Sequence, residues 1–137
     1  MAGGALADAE VIRMLAPLQT LFLFDALRRL LGTAKSIDAL EAKKLIDTTP
    51  GIVILDVRKD GEYRGGHLPR AQHAPHGLMG ARAKRMDPNV TYLLYCKSGA
   101  RSGKAAAALM KHGFRDVYTL HGGVGAWQRY GFPLAKR

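Results

Sequence analysis

Cysteine is nearly absent from this sequence, which contains one, Cys96. A single thiol forms no internal disulfide, builds no CxxC zinc site and supplies no CxxC redox pair. An oxidising compartment is therefore not implied, and the expected location is a reducing cytoplasm. Acidic residues are also scarce, 11 against 21 basic ones, for a net charge of +10. Such a surface attracts anions. Nucleic-acid binding calls for basic patches interleaved with aromatics, and no such stripe occurs. Arg82, Lys84 and Arg85, with Lys136 and Arg137, are local groups in an otherwise scattered set, so nucleic acid is not an expected partner. Long hydrophobic runs are missing too. Met14–Phe24 lies between Arg13 and Asp25, far short of the ~20 residues that cross a bilayer. It also lacks the basic leading region and small-residue cleavage site of a secretory signal. His73, His76, His112 and His121 have no metal-ligand spacing among them, and neither a metal nor a cofactor is expected.

What is present reads as two parts. Residues 1–34 form a helical extension, with Asp8 as an N-cap, Pro17 in the first turn of a second helix and Gly32 as a stop. Leu21, Phe22, Leu23 and Phe24 point all the way round such a helix, which must be covered on more than one side. Packing on its own domain, pairing with another copy into a homo-oligomer, and contact with a membrane surface all stay open. Residues 35–137 form the main domain. Ser36 caps a helix running to about Asp47. GIVILDV (Gly51–Val57) and TYLLY (Thr91–Tyr95) are short, continuous apolar runs that suit buried parallel strands. A polar stretch, Lys59–Pro69, follows the first, then a weak strand near Ala71–Ala74 and a short helix over Gly77–Arg85. Ser102–His112 is a strong helix, Asp116–Leu120 a third strand, and Val124–Tyr130 a last helix carrying Trp127. Alternating strands and helices indicate an α/β fold with a mostly parallel central sheet flanked by helices.

The chemistry concentrates at YCKSGARSGKAAAALM. Cys96 follows an apolar strand and precedes a helix, so it lies beyond the carboxyl end of a strand, where open α/β sheets place their sites. Gly99 and Ala100 leave little bulk in the intervening loop. Successive N–H groups there can converge on one point at a helix N-terminus. Lys97 and Arg101 add positive charge, and all of these favour thiolate over thiol. A thiolate in an anion cradle suggests a nucleophile acting on an anionic substrate. Sulfane sulfur transfer through a persulfide and phosphoryl transfer through a phosphocysteine both fit.

Three ordered stretches carry a resemblance. CKSGARS (Cys96–Ser102) is similar to the active-site loop of the rhodaneses, or thiosulfate sulfurtransferases. LDVRKDGEYRGGHLPRAQHAP (Leu55–Pro75) resembles their upstream signature, and LHGGVGAWQRYGFPL (Leu120–Leu134) their C-terminal ending. The resemblance covers about residues 36–134 and implies a rhodanese-like three-layer fold. It implies Cys96 as the catalytic nucleophile and Lys97, Ser98, Gly99, Ala100, Arg101 and Ser102 as the anion-binding loop, with Lys97 and Arg101 on the donor's sulfonate. The expected partners are a small anionic sulfur donor such as thiosulfate and a sulfur-accepting thiol or protein. In this family a six-residue loop, counted here from Cys96 through Arg101, goes with sulfur transfer. A loop one residue longer goes with phosphatases and arsenate reductases. A persulfide carrier dedicated to one partner is a further alternative. Asp56, Arg58 and Glu62 read as scaffold of the cleft rather than substrate contacts, because half-buried charges need partners. His67 is tempting as a base, but the resemblance implies a structural role. Arg70 stands where the family has glycine, and if that position takes positive φ the arginine is strained.

Overall fold

The computed structural model describes Arg13, Pro17, residues 19–24, Ala26, Leu27, Leu30 and residues 34–136. The chain divides into two compact units, Met1–Leu31 and Gly32–Arg137. In the first unit, the described residues are helical. Leu21, Phe22, Leu23 and Phe24 are all exposed. Asp8 and Gly32, expected as helix signals, lie outside the described residues. No helix among the described residues is long and apolar enough to cross a membrane.

The second unit is a five-stranded sheet in the order β1-β5-β4-β2-β3, with every strand pair parallel. The strands are β1 (Lys35–Ile37), β2 (Val53–Asp56), β3 (Gln72–His73), β4 (Tyr92–Tyr95) and β5 (Val117–Leu120). The helices are α1 (Ala39–Thr48), α2 (Asp60–Arg64), α3 (Met79–Ala83), α4 (Ala100–Lys111) and α5 (Gly123–Arg129).

Side-chain alternation along the central strands divides the core into two layers. Leu55 of β2, with Tyr92 and Leu94 of β4, packs with Met79 of α3 and Ala105, Ala106 and Leu109 of α4. Ile54, Leu93 and Tyr95 face the other way, onto Ala42 and Ile46 of α1 and Val124 and Trp127 of α5. Covering on both faces explains why β2 and β4 read as unbroken apolar runs instead of alternating ones.

Two elements differ from the sequence expectation. Ser36 does not cap a helix; it lies in β1, which pairs with β5 through Ile37 opposite Leu120. The cap is Asp38, whose carboxylate accepts from the Glu41 amide at 2.8 Å. A three-residue edge strand carries no periodicity to distinguish it from a helix start. The polar stretch Lys59–Pro69 contains α2, which Gly61 and a five-residue length conceal. Glu62 Oε1 accepts from the Lys59 amide at 3.1 Å and closes its first turn. Arg70 adopts φ +67°, the one positive φ at a non-glycine among the described residues.

Candidate active site

β4 ends at Tyr95, so Cys96 leaves the carboxyl edge of the sheet beside the end of β2. The chain then turns through Lys97–Gly99 into α4. Gly99 takes φ +120°, a conformation that side chains disfavour. This turn aims its amide at the thiol, and Gly99 N donates to Sγ at 2.9 Å. Cys96 Sγ lies 3.5 Å from Ser102 Oγ, within reach of that hydroxyl's proton once the thiol ionises, and in the thiol form the hydroxyl donates to the Gly99 carbonyl at 3.0 Å. Burial opposes ionisation of Cys96. The Ser102 hydroxyl and the amides of Ser102, Gly99 and Ser98 outweigh it, and the thiol's pKa lies below its ordinary value. Cys96 is only 1% exposed. The sulfur lies at the floor of the loop, beneath the Gly99 amide.

The loop rests on the start of α5. Val124 N donates to the Cys96 carbonyl at 2.9 Å. Gly123, at φ +58°, lies so close beneath that an added Cβ would overlap the Cys96 carbonyl oxygen and come within 2.5 Å of that of Lys97. Gly123 of LHGGVGAW therefore serves contact with the thiol loop, a role the motif alone does not reveal, whereas a Cβ at Gly122 would meet Ala126 of its own helix.

Below the loop, β2 and β4 place Asp56 opposite Tyr95. The Tyr95 hydroxyl donates to Asp56 Oδ2 at 2.7 Å and accepts from the Leu68 amide at 3.0 Å. Burial, then the neighbouring Asp56 carboxylate, holds this phenol protonated. Arg58 Nη2 donates to Asp56 at 2.6 Å and to the Gly66 carbonyl at 2.6 Å. Asp56 is fully buried and Arg58 is 6% exposed. The pair thus anchors Tyr95, the residue preceding Cys96, as a charged pair withdrawn from water must be fully partnered.

Glu62 is not part of that pair. It reaches the loop through Arg101, whose Nη1 and Nη2 donate to its two oxygens at 2.7 and 3.0 Å. The hydrogen bond from Arg101 leads the causes that lower the Glu62 pKa to about 2. Arg101 is consequently engaged with Glu62, and Lys97 is the loop cation left exposed. Ser98 and Ala100 are exposed on the rim, and Ser102 is buried beneath it. His67 stacks on Tyr63 with ring centroids 3.9 Å apart, and its Nδ1–H donates to the Tyr63 carbonyl at 2.9 Å. Among the described residues no cluster of three or more His, Cys, Asp or Glu could hold a metal.

Residues 38–130 match the rhodanese-like domain family. The chain is 34% identical over 98 residues to a sulfurtransferase of Allochromatium vinosum, covering 72% of this chain and 92% of that protein. It is 33% identical over 96 residues to the thiosulfate sulfurtransferase GlpE of Coxiella burnetii, covering 70% and 89%. A rhodanese-like domain protein from Staphylococcus aureus superposes with a TM-score of 0.62 at 31% identity, covering 68% of this chain and 90% of that one. The chain belongs to the rhodanese-like domain family, and sulfur transfer is the chemistry its relatives support.

Proposed function

We propose that the chain is a sulfurtransferase that moves a sulfane sulfur from thiosulfate, or a persulfide donor, to a nucleophilic acceptor through a persulfide on Cys96. The observation that carries this reading is the amide of Gly99 donating to Sγ at the floor of a six-residue loop. The Cys96 thiolate attacks the outer sulfur of thiosulfate. The Sγ–S bond forms, the sulfur–sulfonate bond breaks, and its electron pair departs with sulfite. The negative charge now sits on the outer sulfur of Cys96–S–S⁻, one S–S length of about 2.05 Å further out. Cyanide, a thiolate or a protein thiolate then attacks that sulfur and the Cys96 thiolate is released, a double-displacement cycle. Amides fixed before the reaction stabilise the anion without reorganising. A ring of six residues, Cys96 through Arg101, favours one added sulfur over a phosphoryl group with its three oxygens. Lys97 attracts the anionic donor, while Arg101 acts through Glu62 to hold the loop's shape. A reducing cytoplasm suits the free thiol.

Intact-mass measurement after incubation with thiosulfate tests this. The expected result is the gain of one sulfur atom, lost on adding cyanide and absent from Cys96→Ser. An unmodified mass would make Cys96 a buried core thiol and end the reading.

A further inference from the structure

Arg70, the one non-glycine at positive φ among the described residues, has no part in the thiol site. It stands in a turn closed by the Ala71 amide, which donates to the Leu68 carbonyl at 3.0 Å. Pro69 takes the second position of that turn and Arg70 the third, at φ +67°. This is the pattern of a type II turn, whose third position calls for glycine or asparagine. Both ends of the turn are tied. The Leu68 amide donates to the Tyr95 hydroxyl at 3.0 Å, and His67 exchanges backbone hydrogen bonds of 2.8 and 2.7 Å with Ala135. The arginine is therefore held in a conformation that glycine would adopt without strain. Strain of this kind gathers at ligand clamps and switch regions.

The same arginine borders a cavity of about 250 Å³, to which no residue of the loop from Cys96 to Ser102 contributes. Most of its wall is apolar: Ile46 of α1, Trp127 of α5, Pro69 and Pro133. The Trp127 indole N–H already donates to the Pro133 carbonyl at 2.9 Å, so the ring offers no free polar group to the space. Lys43 and Asp47, one turn apart on α1, border the cavity as well and pair with each other at 2.6 Å. Their charges cancel. Arg70 is exposed, and no hydrogen bond or ion pair engages it. The cavity thus sets one uncompensated cation, a planar fork of donors, beside a wall of ring-bearing and branched side chains.

From this arrangement we propose that the cavity binds a small aryl carboxylate, of the size of phenylacetate. The Arg70 guanidinium takes the carboxylate through two parallel hydrogen bonds. The ring lies against Trp127 and Ile46, where a flat aromatic packs with little loss of rotational freedom. At about 30 Å³ of liquid volume per water the cavity has room for about eight waters, and covalently joined atoms pack closer, so about ten non-hydrogen atoms fill it. The site is separate from Cys96 and does not rest on the sulfur-transfer reading.

Trp127 is the chain's only tryptophan, so its fluorescence reports on this cavity. The full chain is titrated with phenylacetate while that emission is followed. A saturable change is expected, with a dissociation constant of about 1 mM or below for a ligand of ten non-hydrogen atoms. Phenylacetamide, of the same shape but uncharged, should bind about 10- to 100-fold more weakly, the loss of hydrogen bonds between charged groups. Arg70→Gly should weaken phenylacetate by a similar factor; glycine suits the φ of the turn, and an undiminished urea midpoint shows that the variant is folded. Arg70→Lys keeps the charge without the fork and should fall between the two. Hexanoate, whose flexible chain must be ordered, should bind more weakly than phenylacetate. Cys96→Ser should bind phenylacetate as the wild type does. Absence of saturation, equal affinity for the acid and its amide, or unchanged binding in Arg70→Gly would each overturn the proposal. Equal or tighter binding of hexanoate would overturn the choice of an aryl ligand. Loss of binding in Cys96→Ser would place the ligand at the thiol loop and overturn the separate site. None of these results depends on whether thiosulfate loads Cys96.

Discussion

Gly123→Ala offers a direct test of how the loop is held. The substitution adds one methyl group, and its effect has two separable parts. The first is conformational: φ is +58°, and an L-residue in this region loses roughly 1–2 kcal/mol. The second is steric. The new Cβ would overlap the Cys96 carbonyl oxygen and lie 2.5 Å from that of Lys97, whereas carbon–oxygen contacts settle at about 3.3 Å, so the loop must move by at least about 0.8 Å. That movement strains the hydrogen bond from Val124 N to the Cys96 carbonyl, worth about 1 kcal/mol. Together these amount to about 3 kcal/mol, a fall in Tm of about 10 °C for a chain of this size. A displacement of this order at the nucleophile should slow sulfur loading about 100-fold. Gly51→Ala is the control, because Gly51 has φ +76° but nothing within 4 Å of an added Cβ. It should show the conformational cost alone and load sulfur at the wild-type rate. Calorimetry and single-turnover mass spectrometry read the two quantities. Equal destabilisation by the two variants, with equal loading rates, would refute the claim that α5 supports the thiol loop by contact.

Ser102→Ala removes a hydroxyl that favours the thiolate, so the Cys96 pKa should rise, read from the pH dependence of thiolate ultraviolet absorbance. Glu62→Gln probes the tie to Arg101. Because the folded pKa of Glu62 is depressed to about 2 from 4.5, its contribution is complete above about pH 4.5 and is lost as pH falls toward 2. The stability gap between wild type and Glu62→Gln, measured by urea unfolding, should therefore close over that range; a constant gap would contradict the ion pair. Arg70→Gly relieves a side chain held at φ +67° and should stabilise the protein by about 1 kcal/mol, seen as a higher urea midpoint at unchanged slope.

Much of the sheet is legible because its central strands are covered on both faces. GIVIL and TYLLY are apolar for that reason, and each leads into the candidate site, at Asp56 or Cys96. The edge of the sheet is less so. Lys35–Ile37 is too short for a pattern, and Ser36 resembles a cap when the cap is Asp38. In the site, the nucleophile and its turn can be read because strand, cysteine, glycine and helix are contiguous. The partnerships are hidden because the fold makes them across long separations. Arg101 and Glu62 are 39 residues apart, as are Tyr95 and Asp56. The sequence assigns Arg101 to the substrate, and the structure engages it with Glu62.

The sheltered position of Cys96 has a consequence for durability. Ionised sulfur is what peroxides attack, and a sulfenic acid formed there would find no second cysteine in the chain to capture it. With no resolving thiol, burial of Cys96 is what slows that attack. The 1% of the residue left open sets both how readily a donor is received and how slowly the protein ages under oxidants, so any change that widens this aperture trades lifetime for speed.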